Sequence, residues 1–494
     1  MKASHWLCVV SLLSWLSVLT ACSAAAENPT VYVTFWFDTE DFILPQADDA
    51  AKRLAEMFTA RNVQATFKIV GEKARVLEER GRDDVILALA KNDIAYHSTW
   101  HSVHPTPSEY CRDLGWHEGV AEFTRREGVG LDTLKRVFGV NASCYGQPGG
   151  SWTPQSYGAL RAFGIPLYLD ETSHVNVKNR PFWYCGTLNI LRLGDCVLRT
   201  GWTDGEVKEA CNKFDRAHAS LIREGGGIVS IYYHPCEFVH QQFWDGVNFA
   251  HGANPPRSEW KLPPLKSPEE REQAFRAFET FLDHIVRHAN VRLVTAREIP
   301  SLYPDRVYSH PFTAKDVRAI AEAFQKQLSY VEMPTRIVSA GEGLLALSQF
   351  VAGIDENSKP QKVTVEFAYG PSSRPQRFTT EGSFSWEAIH EAAKELAEVS
   401  QRRKQLPSLA WVAGEPVRLE DFSITLASIV ASEKYTGQIP LQHGDLSSAK
   451  YVADDSPGLW GWVVFPDGFT APAMMELAKL QAWTIKPAML RKLQ

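Results

Sequence analysis

The sequence lacks any excess of basic residues. Among its 494 residues, Lys and Arg number 52 while Asp and Glu number 58, which gives a formal charge of −6 at pH 7. Proteins that bind nucleic acids draw much of their affinity from phosphates neutralised by Lys and Arg. The charge balance therefore speaks against a nucleic-acid partner, and the composition of 44% hydrophobic and 22% charged residues is that of a globular protein.

Long apolar runs are absent after the N-terminus. A transmembrane helix needs about 20 consecutive apolar residues, and no later segment approaches that length. The N-terminus carries Lys2, a shorter apolar stretch from Trp6 to Leu19 and small residues up to Cys22. This pattern predicts a secretory signal peptide over residues 1–26 and hence an exported protein, either periplasmic or extracellular.

The segment Leu19–Cys22 resembles the lipobox of bacterial lipoproteins, which would place a lipid on Cys22. Ordinary cleavage near Ala24–Ala26 is the alternative. Under the first interpretation, the lipid anchor is the only contact of the mature protein with a membrane. Under the second, the protein is released as a soluble chain.

Cysteine is absent after residue 240, and none of the cysteines shows the C-x-x-C spacing of a zinc site. Removal of Cys8 and Cys22 with the signal leaves an even number, which permits disulfides in an exported protein. We interpret these residues as buried thiols or structural bridges. Because all of them precede residue 240, the chain is expected to have two unlike halves. The six are Cys111, Cys144, Cys185, Cys196, Cys211 and Cys236.

The first half alternates strand-like and helix-like segments. Strands are predicted at Val31–Phe37, Ala65–Val70, Ile94–Tyr96, Ala142–Tyr145, Pro166–Leu169, Leu188–Leu193, Gly227–Tyr233 and Val291–Val294. Helices are predicted at Asp49–Arg61, Asp83–Lys91, Leu131–Phe138, Pro154–Phe163 and Pro268–His288, and a long loop at Phe243–Lys266. This alternation favours an α/β fold with a parallel sheet, and a length of about 270 residues is that of a barrel.

The rest of the chain contains a repeat. The pattern of Met333–Glu342 recurs in Leu406–Glu415, 73 residues later. Helical runs open after three hydroxyl residues that are predicted N-caps, namely Thr313, Ser385 and Thr470. Self-similarity at a fixed spacing indicates a mostly helical repeat domain over residues 311–494, for which we expect an interaction or cell-wall-binding role.

Ionisable residues stand where four of the predicted strands end. They are Asp38, His97, Asp170 and His234, and Glu40 and Asp41 follow the first of them. The carboxyl ends of parallel strands meet on one face of an α/β barrel, where barrel enzymes carry their catalytic residues. We therefore expect these side chains to converge on one site.

His97 and His101 stand four residues apart. On a helical turn, positions i and i+4 point the same way, so both imidazoles can face one metal ion. Zinc commonly combines His nitrogens with a carboxylate and keeps one position open for water. Glu40 is the predicted carboxylate ligand, Asp41 competes with it, and His104 is an alternative third histidine.

The ordered set of motifs resembles the polysaccharide deacetylase family, the family 4 carbohydrate esterases with the chitooligosaccharide deacetylase homology domain. The resemblance covers residues 30–305 and implies a distorted (β/α) barrel. It is carried by Phe35–Asp41, Thr66–Glu72, His97–His101, Pro148–Ser151, Ser230–His234 and Val291–Glu298.

The resemblance implies a metal-dependent hydrolase of linear amides that N-deacetylates a cell-envelope or secreted polysaccharide. Asp38 would be the general base and His234 the general acid, with Asp170 orienting His234. A backbone N–H near Tyr145 would help to stabilise the tetrahedral oxyanion. The implied ligands of a divalent metal, expected to be zinc, are Glu40, His97 and His101.

Two positions depart from the pattern of the family. Glu40 stands where the family usually has Asp, and Gly146 stands where it usually has an Arg that braces the base. Loss of this Arg favours one alternative, an amide hydrolase with a non-sugar substrate, and the C-terminal repeats favour another, a catalytically impaired carbohydrate-binding protein. The intact acid, base and ligand candidates speak against the second alternative.

Cell fractionation tests the predicted lipid on Cys22. We expect the wild-type protein in the membrane fraction and Cys22→Ser in the soluble fraction, because a lipid chain is then the only membrane anchor. Equal solubility of the two proteins would contradict the anchor and favour cleavage near Ala24–Ala26.

Overall fold

The computed structural model describes residues 29–170, 173–190, 202–355, 358, 360–375 and 380–491. The predicted signal peptide with Cys8 and Cys22 lies outside these residues, as do Cys196 and the end of the predicted strand Leu188–Leu193. Export and the lipid anchor therefore remain predictions. Within the described part of the chain, no helix is long and apolar enough to cross a membrane.

The described chain contains both strands and helices in each half. The strands are β1 (Val31–Thr39), β2 (Thr66–Ile69), β3 (Asp93–Tyr96), β4 (Leu167–Leu169), β5 (Phe182–Tyr184), β6 (Thr187–Ile190), β7 (Gly227–Tyr233), β8 (Val291–Leu293), β9 (Phe312–Thr313), β10 (Val331–Glu332), β11 (Ile337–Val338), β12 (Lys362–Val363), β13 (Ser383–Ser385), β14 (Leu409–Val412), β15 (Glu415–Arg418), β16 (Gln438–Pro440) and β17 (Lys486–Pro487). The helices are α1 (Pro45–Thr59), α2 (Gly71–Glu79), α3 (Asp83–Leu89), α4 (Pro107–Cys111), α5 (Trp116–Phe138), α6 (Gln155–Ala162), α7 (Asp204–Arg223), α8 (Trp244–Asn248), α9 (Pro268–Val286), α10 (Ile299–Leu302), α11 (Ala314–Lys326), α12 (Ala340–Ala352), α13 (Trp386–Arg403), α14 (Leu419–Ser432) and α15 (Pro472–Leu480).

The strand β1 lies at the centre of the main sheet. All nine of its residues are buried, and such a continuous apolar run is typical of a parallel strand covered on both faces. It pairs in parallel with β2, β7 and β8, and β2 pairs in parallel with β3. Tyr145 bridges β3 to β4, which pairs in parallel with β6. The predicted α/β fold, a parallel sheet wrapped by helices, is confirmed.

The structure differs from the sequence prediction at several places in this half, and the helix α7 was not predicted at all. The segment Ala142–Tyr145 forms a bridge at Tyr145 instead of a strand, and the predicted loop Phe243–Lys266 contains α8. The helix α5 begins at Trp116, well before the predicted start at Leu131. Its glycines lower helix propensity, but a methyl group on Gly130 would come within 2.5 Å of the hydroxyl of Tyr96. Close packing against the barrel therefore outweighs propensity.

The described cysteines are thiols. All but Cys211 are buried, and burial raises the pKa of Cys111 to about 12. They pack as small apolar side chains, so the interpretation as buried thiols fits these residues better than that as bridges. The five free cysteines are Cys111, Cys144, Cys185, Cys211 and Cys236.

The repeat has a structural counterpart. Strand, helix, two-stranded hairpin and helix follow one another in β9–α11–β10–β11–α12 and again in β13–α13–β14–β15–α14. Thr313 and Ser385 cap α11 and α13 as predicted, each accepting a hydrogen bond from a backbone N–H of the first turn. The predicted third cap is wrong: α15 has Ala471 at its N-cap and Pro472 at its first position, where proline is favoured because the N–H that it lacks would have no partner in the helix.

The last residues of the chain return to the barrel. Residues between Val307 and Leu441 form a second hydrophobic core, to which Trp483 also belongs, whereas Val452, Phe465 and Met474 share a core with β1. The final strand β17 pairs with β5 of the barrel half. The predicted boundary near 311 thus separates two cores, but the segment from about 447 onward packs with the first of them.

A buried lysine links the two cores. The Nζ atom of Lys486 lies 2.7 Å from Glu342 Oε1 and 2.8 Å from Asp305 Oδ2, and its side chain is 3% exposed. We expect Lys486→Met to lower the free energy of unfolding by about 3–5 kcal/mol, because it leaves two carboxylates without their cation. Denaturant titration measures the change.

The matched control is Lys479→Met, which removes an ion pair to Asp454 at the surface. Exposed pairs contribute about 0–1 kcal/mol, so this variant should unfold close to the wild type. Equal losses in the two variants would contradict the role of Lys486.

Candidate active site

The four predicted strand ends converge on one cavity of about 540 Å³. It lies at the carboxyl ends of β1, β3, β4 and β7, since parallel strands end on one face of the barrel. Its lining includes the predicted acid, base and orienting residue and the three implied metal ligands, namely His234, Asp38, Asp170, Glu40, His97 and His101, but neither Asp41 nor His104.

Three of these side chains form a candidate metal centre. The Oε2 atom of Glu40 lies 3.2 Å from His97 Nε2 and 2.8 Å from His101 Nε2, and all three residues are buried. The two histidines meet through a turn in which Ser98 and His101 have positive φ, not through the helical turn that their spacing predicts.

The nitrogens of this group are arranged to bind a cation. His97 Nδ1 donates to the carbonyl of Gly146 at 3.0 Å, which leaves the lone pair of Nε2 facing Glu40. His101 Nδ1 is held by Ser102 Oγ at 2.6 Å, and its buried Nε2 lies 2.8 Å from Glu40 Oε2 without the geometry of a hydrogen bond. Metal-binding histidines typically have the second ring nitrogen held in this way. The donor set therefore fits a divalent metal ion with nitrogen and oxygen ligands.

Asp41 and His104, the alternative ligands predicted from the sequence, interact with other residues. Asp41 Oδ1 accepts hydrogen bonds from the backbone of Ile43 and Leu44, and its Oδ2 accepts one from His240 at 2.8 Å. His104 is paired with Glu109. Glu40, in contrast, directs Oε2 at both histidines, while its Oε1 accepts a hydrogen bond from Trp244.

A buried lysine joins two of the strand-end carboxylates. The Nζ atom of Lys68 lies 2.8 Å from Asp38 Oδ1 and 2.8 Å from Asp170 Oδ2, and it donates to the carbonyl of Leu169. The register of β1 and β2 places Lys68 directly beside Asp38. Burial lowers the pKa of Lys68, but Asp170 and Asp38 outweigh it and hold the pKa above its ordinary value. A permanent cation therefore sits between these carboxylates.

Gly146 makes room for this lysine. A Cβ atom at this position would lie 1.9 Å from Lys68 Nζ and 2.5 Å from Asp170 Oδ2. A side chain at 146 and the lysine at 68 therefore exclude one another. The family resemblance implies an Arg at position 146 that braces the base. In this chain, Lys68 on β2 supplies a positive charge beside Asp38 instead.

Asp38 is held in its charged form. Burial would raise its pKa, but His97, Lys68 and His234 together bring the pKa below its ordinary value. Lys68 forms an ion pair with Oδ1 of Asp38, and the other carboxylate oxygen, Oδ2, lies 3.7 Å from His234 Nε2. Asp38 can therefore accept a proton in the cavity.

His234 is oriented by a residue that the sequence analysis did not identify. Its Nδ1 is hydrogen-bonded to Glu237, three residues further on, whereas Asp170 is paired with Lys68. Glu237 thus holds the Nδ1 atom, while the predicted role of Asp170 in orienting His234 stays a prediction. Burial lowers the pKa of His234, but Glu40 and Glu237 raise it to about 9. A protonated imidazole is the form that a general acid requires.

The predicted oxyanion donor is already engaged. The N–H of Tyr145 donates to the carbonyl of Leu167, and the N–H of Gly146 donates to that of Tyr96. Both bonds belong to the bridges that continue the sheet, so neither donor faces a substrate. The expectation of an oxyanion contact near Tyr145 is wrong for these two groups.

Trp462, from the C-terminal segment, forms one wall of the cavity. Its Nε1 donates to Asp245 Oδ2 at 2.9 Å, and its ring meets that of His101 edge to face at 5.5 Å. A Cβ atom on Gly149 would lie 2.1 Å from this indole, so the glycine makes room for it. The wall continues through residues 458–463. No local sequence pattern connects residue 462 to the catalytic and metal-ligand candidates, all of which precede residue 240.

The fit between Gly146 and Lys68 can be tested by adding one methyl group. We expect Gly146→Ala to lower the free energy of unfolding by about 3 kcal/mol, because it overpacks the barrel end and displaces Lys68 from two buried carboxylates. Thermal or chemical unfolding measures the effect. The control is Gly205→Ala, in the first turn of α7, where the nearest atom lies 3.9 Å from the added methyl group. Equal stability of the two variants would contradict the close packing.

No family model and no curated protein matches the chain. Similar solved structures include a probable polysaccharide deacetylase from Pseudomonas aeruginosa PAO1, with 14% identity, a TM-score of 0.38 and coverage of 56% of this chain and 93% of that one. An allantoinase shows 13% identity, a TM-score of 0.38 and coverage of 56% and 93%. A family 4 acetyl xylan esterase from Clostridium thermocellum, in complex with a cobalt ion, shows 12% identity, a TM-score of 0.30 and coverage of 55% and 91%.

Proposed function

We propose that the barrel is a divalent-metal-dependent hydrolase of carbon–nitrogen amide bonds that N-deacetylates a cell-envelope or secreted polysaccharide. The observation that carries the proposal is the buried group of Glu40, His97 and His101, with Asp38 and His234 beside it in one cavity. A donor group for a metal, a charged carboxylate and a protonated imidazole are the parts that metal-assisted amide hydrolysis requires.

Glu40, His97 and His101 would hold the ion, for which zinc is the expected identity. When bound, the ion supplies Lewis acidity to the acyl carbonyl of the substrate. His97 and His101 keep their Nε2 lone pairs directed at it, because Gly146 and Ser102 hold their Nδ1 atoms.

Asp38 takes a proton from the attacking water, and Lys68 fixes its position. The ion pair on Oδ1 leaves Oδ2 as the oxygen that faces His234. Water adds to the acyl carbon, and the carbon–nitrogen bond then breaks. His234, held by Glu237, gives its proton to the leaving nitrogen. The products are a carboxylate, which is acetate for an N-acetyl group, and a free amine.

The aromatic lining of the cavity favours a sugar substrate. Trp462, Phe243 and Tyr232 lie around the ionisable residues. Aromatic rings offer an apolar face and a rigid surface against which the faces of a pyranose ring can pack. The proposal includes export of the protein, which would bring it to an envelope polysaccharide, and contact of the repeats with the cell wall.

An amide hydrolase with a non-sugar substrate is the second candidate. The observation that favours it is the wall formed by residues 458–463, which bounds the cavity on the side of His101. Such a wall suits a compact amide better than an internal stretch of a polymer. The third interpretation, a catalytically impaired carbohydrate-binding protein, gains no support from a cavity that contains the acid, base and ligand candidates together.

Two substitutions separate metal binding from proton transfer. We expect His101→Ala to lose metal, because even residues that only support metal ligands change affinity by about 10–100-fold. Asp38→Asn should keep the metal and lose about 10²–10⁴ in turnover, because the proton acceptor is gone. Metal analysis and acetate release from chitooligosaccharides and peptidoglycan measure both effects.

The control is His104→Ala, three residues beyond His101 and paired with Glu109, which should keep both metal and turnover. Full activity of Asp38→Asn, or wild-type metal content in His101→Ala, would overturn the assigned roles. Metal binding without acetate release from any polysaccharide, combined with hydrolysis of small amides, would favour the second candidate.

A further inference from the structure

A second group of metal-type side chains lies between α7 and α9, away from the cavity. Asp215 is on α7, His284 is in the last turn of α9, and His288 follows two residues after that helix ends. The Oδ1 atom of Asp215 lies 2.7 Å from His284 Nε2 and 3.3 Å from His288 Nε2. One carboxylate oxygen therefore faces two imidazole nitrogens.

This arrangement has the same chemistry as the group in the cavity. In both groups, two histidines four residues apart direct Nε2 at a single carboxylate oxygen of another element. In both, the ligand atoms lie within 4.8 Å of one another. Two imidazoles and a carboxylate are a donor set that suits zinc and its neighbours nickel and copper.

Backbone contacts fix the direction of the second histidine. His288 Nδ1 lies 3.4 Å from the carbonyl of Ala289, to which only a protonated nitrogen can donate. With Nδ1 engaged there, Nε2 is the ring nitrogen that faces Asp215, and a cation between Nε2 and the carboxylate oxygen would be bound by a lone pair from each. His218 packs against this ring at 4.1 Å and donates from Nε2 to the same carbonyl.

We propose that Asp215, His284 and His288 bind a second divalent transition-metal ion. The three side chains are 26–45% exposed, so an ion reaches them directly from solvent and keeps water in its remaining positions. Bound there, the ion ties α7 to α9, two helices that pack against each other on the outside of the barrel. Its role is structural and independent of the reaction in the cavity.

Metal counting on the full-length protein tests this site. With zinc in equilibrium dialysis, we expect two equivalents on the wild type and one on His284→Ala. We also expect one on His101→Ala, which removes a ligand from the cavity group instead. Excess zinc should raise the melting temperature of His101→Ala but not that of the double variant His101→Ala/His284→Ala.

The matched control is His251→Ala, which breaks another His–Asp pair, with Asp467, at a place with no second histidine. It should bind zinc as the wild type does. If His284→Ala does not fold, Asp215→Asn replaces it, because it keeps the shape of the side chain and removes the charge. Equal zinc content of the wild type and a folded variant of the α7–α9 group would overturn the proposal and leave a simple ion pair there. Failure of the cavity group to bind metal would instead show as unchanged zinc content in His101→Ala.

Discussion

The ammonium group of Lys68, between Asp38 and Asp170, is the interaction on which the site depends. These charges are buried, and buried carboxylates without a cation cost several kcal/mol. The lysine therefore ties the ends of β1, β2 and β4 to one another and fixes which oxygen of Asp38 faces the cavity. Gly146 is part of the same arrangement, since any side chain there would occupy the position of the lysine.

Two distant parts of the chain form the cavity. The barrel strands supply the ionisable groups, and a segment more than 200 residues further on supplies the wall at Trp462. The same segment shares the core of the barrel and pairs with it through β17. In sequence, the repeats between Val307 and Leu441 thus separate two segments that pack together as one structure. Lys486 lies where the repeats meet that structure.

Much of this could be predicted from the sequence because polar residues at the ends of apolar strands leave a local signal. Asp38, His97, Asp170 and His234 were found in that way and do meet in one cavity. Lys68 was missed because a single lysine inside the apolar run of β2 gives no periodic pattern. Glu237 and Trp462 were missed because their roles depend on turns and on contacts distant in sequence. The spacing of His97 and His101 predicted their proximity correctly, although a turn with left-handed residues brings it about.

The most direct test of the account is anomalous X-ray scattering at the zinc absorption edge from crystals of the zinc-loaded protein. The account predicts a peak about 2.0–2.2 Å from Oε2 of Glu40 and from Nε2 of His97 and His101. It also predicts that the carboxylate of Asp41 lies outside the coordination sphere, on His240. The absence of a peak in the cavity, or ligation by Asp41 in place of Glu40, would contradict it.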